Sequence, residues 1–302
     1  MVGATAMCSR IFETLKAMMA RPQFRGSTGP LGVSDLGNDN PMCDAWLQAA
    51  RQTGLPDNPD FNAEETYGIG RYQLTLKGRW RDSAATAYLR PALHRPNLTL
   101  LSHASVLGVT FDGPTATGVR YIQNGVEKTA YAVREVILAA GAIQSPQLLH
   151  LSGIGPADDL RSLGIQVRHD APEVGANLQD HSQIRTIVEL AEGKHSLNTQ
   201  IRNPLKAAGF GLDWLLRSHG PLTVGAGQVG GAACSALAEN GRPDIQLFVM
   251  PLSVGKPGAP LQCDPRFTVS HIAATSSKQA TTATASRPAQ RPQRKPQRRP
   301  PH

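Results

Sequence analysis

The sequence predicts a mixed α/β fold, α+β overall, on three observations. Residues 97–133 read as strands, with Asn124-Gly125 as a strong hairpin signal between two of them. Glu135-Val136-Ile137-Leu138-Ala139-Ala140 is a short apolar run of the kind that forms a strand buried on both faces. Gly141 ends that run, and residues 143–151 then read as a helix, with Pro146 in its first turn and Gly153 past its end. Strand, glycine turn and helix in this order make the geometry of a dinucleotide site, although the order alone is common. The 302 residues suit two domains, and 40% hydrophobic against 18% charged residues argues against wholesale disorder and against a coiled coil.

Taken in order, residues 11–19 read as a short helix, because Ile11, Leu15, Met18 and Met19 recur at helical spacing. Asn40 as N-cap, Pro41 at the first helical position and Gly54 beyond the end bracket a helix with Met42, Trp46, Ala49 and Ala50 on one face. Residues 83–89 read as a second short helix stopped by Pro91. A strand starts at Asn97 and runs through Val106 and Val109 to Phe111, followed by strands at 118–123 and 126–133. A helix after Pro156 stops at Gly164, and residues 165–167 resume an extended run. Beyond His181, strand-like pieces at 186–190 and 245–250 flank an amphipathic helix around 210–216. The expected divisions are an irregular segment 1–40, a helical segment 41–96, a dinucleotide-binding part 97–180, a second domain 181–270 and a disordered basic tail 271–302.

The formal charge of +8 is concentrated at one end. Residues 271–302 hold Lys278, Arg287, Arg291, Arg294, Lys295, Arg298 and Arg299 and no acid, which leaves the rest of the chain close to neutral. No specific nucleic-acid partner is expected from that balance. Cys8, Cys43, Cys234 and Cys263 stand far apart with no C-x-x-C pair, as free thiols in a reducing compartment would. No stretch approaches 18 apolar residues, and residues 1–10 lack the order of a secretory signal. The expected location is cytoplasmic, and attachment to a membrane through a partner is left open.

The most specific stretch is Gly141-Ala142-Ile143-Gln144-Ser145-Pro146-Gln147-Leu148-Leu149-His150-Leu151-Ser152-Gly153-Ile154-Gly155. It resembles, at every position, the second signature of the glucose-methanol-choline (GMC) oxidoreductases. Gly29-Pro30-Leu31-Gly32-Val33-Ser34-Asp35, the run from Arg81 to Leu89 and the run from Val174 to His181 resemble the same family in the same order. The choline dehydrogenase-like branch is the one most resembled. The resemblance implies a partial FAD-binding Rossmann-like domain with a β-meander, plus part of a GMC substrate domain. It implies FAD as cofactor and a primary, choline-like alcohol as substrate, oxidised to an aldehyde by hydride transfer to the flavin, with an unidentified electron acceptor. Val106 would meet the adenine of FAD through its backbone, and Ala140, Gly141 and Ala142 would lie near the ADP portion.

The resemblance also marks what the matched residues do not supply. The family's glycine-rich pyrophosphate loop would precede Ile11, and its catalytic histidine would follow the matched part, so no catalytic residue is assigned and the chain alone is expected to be inactive. Similarity stops after Ser270, which favours a shifted reading frame for the tail over a genuine basic extension binding acidic partners. The competing function is accordingly a non-catalytic binding protein acting through that tail, and a third reading is a product that never folds stably.

Other motifs are weaker. Asp180 and His181 resemble an acid–base pair, but adjacent residues on an extended chain point to opposite faces, and a structural histidine is the better reading. His94, His103, His150 and His169 lack spaced partners, so no metal site is expected. Gly225-Ala226-Gly227-Gln228-Val229-Gly230 satisfies G-x-G-x-x-G, with Asp244 downstream, but the chain ahead of it is too short and breaker-rich to be the required buried strand.

Overall fold

The structure is a computed structural model that describes residues 16–17, 26, 28–38, 40–189, 197–225, 227–252 and 266–273. The strands are β1 (Lys16–Ala17), β2 (Leu31–Gly32), β3 (Gly68–Arg71), β4 (Leu76–Lys77), β5 (Trp80–Arg81), β6 (Ala104–Asp112) and β7 (Thr115–Gln123). They continue with β8 (Val126–Tyr131), β9 (Ile154–Gly155), β10 (His169–Asp170), β11 (Ser182–Glu189), β12 (Val229–Ala233), β13 (Ile245–Met250) and β14 (Arg266–Ala273). The helices are α1 (Pro41–Gln52), α2 (Arg90–Ala92), α3 (Gly141–Leu151), α4 (Ala157–Ser162), α5 (Leu197–Ile201) and α6 (Pro204–Arg217). A π-turn at Ala85–Leu89 precedes α2. The chain divides into two compact units, one drawn from residues 1–99 and 181–276, the other containing Leu100–Asp180.

The first unit is built on a five-stranded sheet in the order β11-β14-β13-β12-β3, with every pairing antiparallel. Asn40 caps α1 as its sequence suggests, its side-chain oxygen accepting from the Met42 N–H at 3.0 Å. The buried face of α1 is Cys43, Leu47 and Ala50, packed on Ile69, Val229 and Val249 of the sheet. Met42 and Trp46 flank this core and Ala49 faces outward, so the inward stripe is rotated from the one expected. Burial pushes the Cys43 thiol up to about 12, which keeps it protonated against the Gln228 side-chain oxygen.

Two expectations in this unit are corrected. Of residues 11–19, the described pair Lys16–Ala17 is a strand that pairs in parallel with Leu31–Gly32, so ladder bonds replace a helical turn there; the rest lies outside the described residues. Pro91 does not stop the helix begun at Ser83, because the chain widens to a π-turn at Ala85–Leu89 and passes into Arg90–Ala92. A wider turn moves the carbonyl four residues back out of the proline ring's path and needs no N–H from it. β14 runs to Ala273, three residues beyond Ser270, while the remainder of the tail lies outside the described residues.

The second unit is a three-stranded meander, β6-β7-β8, with α3 against β6. Asn124 (φ 53) and Gly125 (φ 77) both adopt the left-handed conformation of a two-residue hairpin turn, closing the pair Gln123↔Val126. β6 begins at Ala104 and not at Asn97, because β7 turns away after Gln123, the partner of Ala104, and His103 has φ 55. Residues 165–167 likewise remain unpaired, and the short parallel ladder forms at His169–Asp170 with β9. The largest departure is 135–140, which is no strand: none of the described residues pairs with it, and Ile137 is 77% exposed. An apolar run signals burial on both faces only where neighbouring strands complete the ladder.

Candidate functional site

The expected cofactor residues converge within the second unit. Val106 and Ala140 line one open trough of about 390 Å³, walled by β7, β8, residues 135–140 and Leu148 of α3. Gly141 and Ala142 follow immediately as the first two residues of α3. Gly141 has φ +88, so the backbone turns there from the extended run into the helix through a conformation that disfavours a side chain. The Ala140 N–H is held by the Ser145 hydroxyl at 3.0 Å, while Ala140 brings no side-chain acceptor to the N–H groups of the first helical turn. An eleven-residue helix therefore presents uncapped donors and the positive end of its dipole beside an apolar trough.

Val106 lies beside a β-bulge, since it pairs with Tyr121 while Gly108 pairs with Arg120, which leaves Leu107 as the extra residue. Val106 stands on the edge strand of the meander and is 39% exposed. Periodicity alone does not reveal the bulge, because the apolar alternation survives it on one side only.

The back of the trough is fastened from below. Ser152, buried just past α3, accepts from the Val109 N–H at 2.8 Å and donates to the Leu148 carbonyl at 2.5 Å. Gly153 follows at φ +85, where a Cβ would collide with the Gln166 carbonyl oxygen. His150 is committed to the Val174 carbonyl at 3.0 Å, which makes it a brace between helix and loop. The second half of the signature-like stretch is thus a lock that sets the position of α3 on β6, and the first half is the helix start that the lock positions.

Asp180 and His181 are exposed ahead of β11 and neither lines the trough. Among the described residues no cluster of histidine, cysteine or carboxylate could hold a metal. The G-x-G-x-x-G stretch leads into β12, an interior strand of the antiparallel sheet, and not into a helix N-terminus. Asp244 accepts from the Ser235 hydroxyl and N–H, and these bonds hold its carboxyl below the usual range. It closes the β12–β13 connection and has no ribose-binding posture.

The first unit contains a second concavity of about 420 Å³ that the sequence reading missed. Phe61, Tyr72 and Phe248 line it, with ring centroids 5.3 and 5.0 Å apart in that order. Gln73 Nε2, also in its lining, is buried and has no hydrogen-bond acceptor among the described residues. Phe61 lies in a turn and Tyr72 just past β3, and the β3-β12-β13 pairing brings them to the distant Phe248.

The GMC oxidoreductase profile matches residues 7–183. Human mitochondrial choline dehydrogenase is 41% identical over 232 residues, covering 77% of this chain and 39% of that protein. The alcohol dehydrogenase [acceptor] of Pseudomonas putida is 36% identical, covering 76% and 42%. An FAD-dependent oxidoreductase from Chaetomium thermophilum superposes with a TM-score of 0.67 at 27% identity, covering 74% of this chain and 42% of that one. Formate oxidase from Aspergillus oryzae superposes at 0.74 with 20% identity, which is a likeness of fold. The chain spans about two-fifths of the length of the relatives it matches. With the matched residues covering more than half its length, the chain belongs to the GMC oxidoreductase family, whose enzymes use FAD.

Proposed function

We propose that the trough beside α3 receives the ADP portion of FAD, and that the chain is part of an enzyme oxidising a primary, choline-like alcohol to an aldehyde. The observation that carries this reading is that Val106 and Ala140 line one apolar trough, with Gly141 and Ala142 following Ala140 as the first residues of an uncapped helix. Val106 and the small Ala140 offer a flat apolar surface for a purine, and the first-turn N–H groups of α3 suit a phosphate. When bound, FAD supplies the hydride acceptor for alcohol oxidation. The chain's own residues hold and orient it; no histidine among the described residues lines the trough to take a hydroxyl proton.

The substrate reading draws on the relatives and on the aromatic cavity, whose ring faces favour a quaternary ammonium group. Choline should raise the melting temperature of the FAD-supplemented chain, more weakly in Phe248→Leu, with no sustained dye-coupled oxidation. Equal stabilisation by ethanol would count against the choline-like substrate, and steady turnover would overturn the expected inactivity of the chain alone.

A further inference from the structure

The concavity of about 420 Å³ in the first unit carries three aromatic rings and one unmet polar demand. Of the rings, Tyr72 has its hydroxyl already committed, donating to the Leu247 carbonyl at 2.6 Å. Burial pushes that hydroxyl up to about 12, so it stays protonated and keeps the bond. Two charged groups in the lining are engaged as well: Arg71 by Asp44, and Asp60 by the Asn62 N–H at 3.0 Å. Gln73 differs from all of these. Its Nε2 is the one buried side-chain nitrogen or oxygen without a hydrogen-bond partner among the described residues.

A buried N–H without an acceptor destabilises a fold, and native proteins keep few of them. The backbone on both sides of Gln73 is pinned, because the Tyr72 N–H donates to the Gln228 carbonyl at 3.0 Å and Leu74 exchanges two bonds of 2.9 Å with Ser34. A slip of the chain therefore does not supply the partner, and Nε2 is shut off from bulk water. What remains is an acceptor that arrives in the cavity. The last torsion of a glutamine side chain is broad and roughly two-fold, so a turn of the amide presents the N–H to a ligand at little cost.

We propose that Gln73 is a specificity-determining residue, donating a hydrogen bond to the oxygen of a ligand whose cationic end lies against Phe61, Tyr72 and Phe248. This role rests on the choline-like reading of the cavity and adds that the ligand is read at two points. The rings attract a quaternary ammonium through its charge, whatever the rest of the molecule carries. The amide separates a ligand with an acceptor oxygen from one of equal shape without it, because the second leaves the donor buried and unpaired.

The test is isothermal titration of the full chain with choline and with propyltrimethylammonium, which has a methyl group where choline has its hydroxyl. Choline should bind about three- to tenfold tighter. Gln73→Met keeps an unbranched side chain of similar length and removes the donor. It should bind the two ions equally, with its affinity for propyltrimethylammonium within about twofold of the parent's. No bond of the folded chain is lost in this variant, and the parent's own preference tests the proposal without it. Equal affinities in the parent would overturn the proposal, as would a preference for choline that survives in Gln73→Met; both results leave the cavity a quaternary ammonium site. Binding of neither ion would overturn the choline-like reading of the cavity and the role of Gln73 with it.

Discussion

Gly153 leaves α3 at φ +85, and the space where a Cβ would sit is taken by the Gln166 carbonyl oxygen. Gly153→Ala should therefore lose about 1–3 kcal/mol in urea denaturation, because it adds left-handed strain to a steric clash. A loss below a few tenths would show that the loop relaxes freely. Its neighbour Ser152 holds the Val109 N–H, so the two residues jointly fix the height of α3 on the meander. Much of this was legible, since a glycine one turn past a helical run demands a left-handed stop. The bulge at Leu107 was not, because one extra residue in a strand changes hydrogen-bond register without altering composition.

At the scale of elements, caps and turns could be read directly, whereas features that need a partner could not. Asn40 and Asn124-Gly125 act through bonds to residues two or three positions away, and both behave as their identities dictate. The run at 135–140 carries the composition of a buried strand, but a strand is a relation between segments and none of the described residues completes this one. Asp82 likewise works at a distance, accepting from the Gly32 N–H at 2.8 Å and the Thr86 hydroxyl at 2.6 Å, and so tying β2 to the start of the π-turn. Burial pushes its carboxyl up, but these bonds and the nearby Lys77 charge outweigh that and hold it below the usual carboxylate range. A folded pKa below the unfolded one contributes stability that is present above about pH 4 and is lost as pH falls through the folded value. Asp82→Asn should consequently lower stability at neutral pH and flatten its decline in acid. An unchanged acid profile would remove Asp82 from the set of groups that drive it.

For the whole molecule, the charge balance of +8 reflects the sequence of the tail and says little about the two units. One unit carries an antiparallel sheet backed by α1 and bears the aromatic cavity; the other carries the meander, α3 and the trough. Family membership rests on contiguous stretches, which a sequence displays openly, while the aromatic cavity arises from the pairing of distant strands, which it does not. The most direct measurement is a titration of the purified chain with FAD, followed by flavin fluorescence, beside the variant Ala142→Asp. An acid in the first turn of α3 favours the helix but repels a phosphate at its N-terminus. Saturable binding by the parent chain, weakened about tenfold or more in Ala142→Asp at unchanged helicity, is the result expected of a dinucleotide site at α3. Absence of binding, or equal affinity in the two proteins, would contradict it.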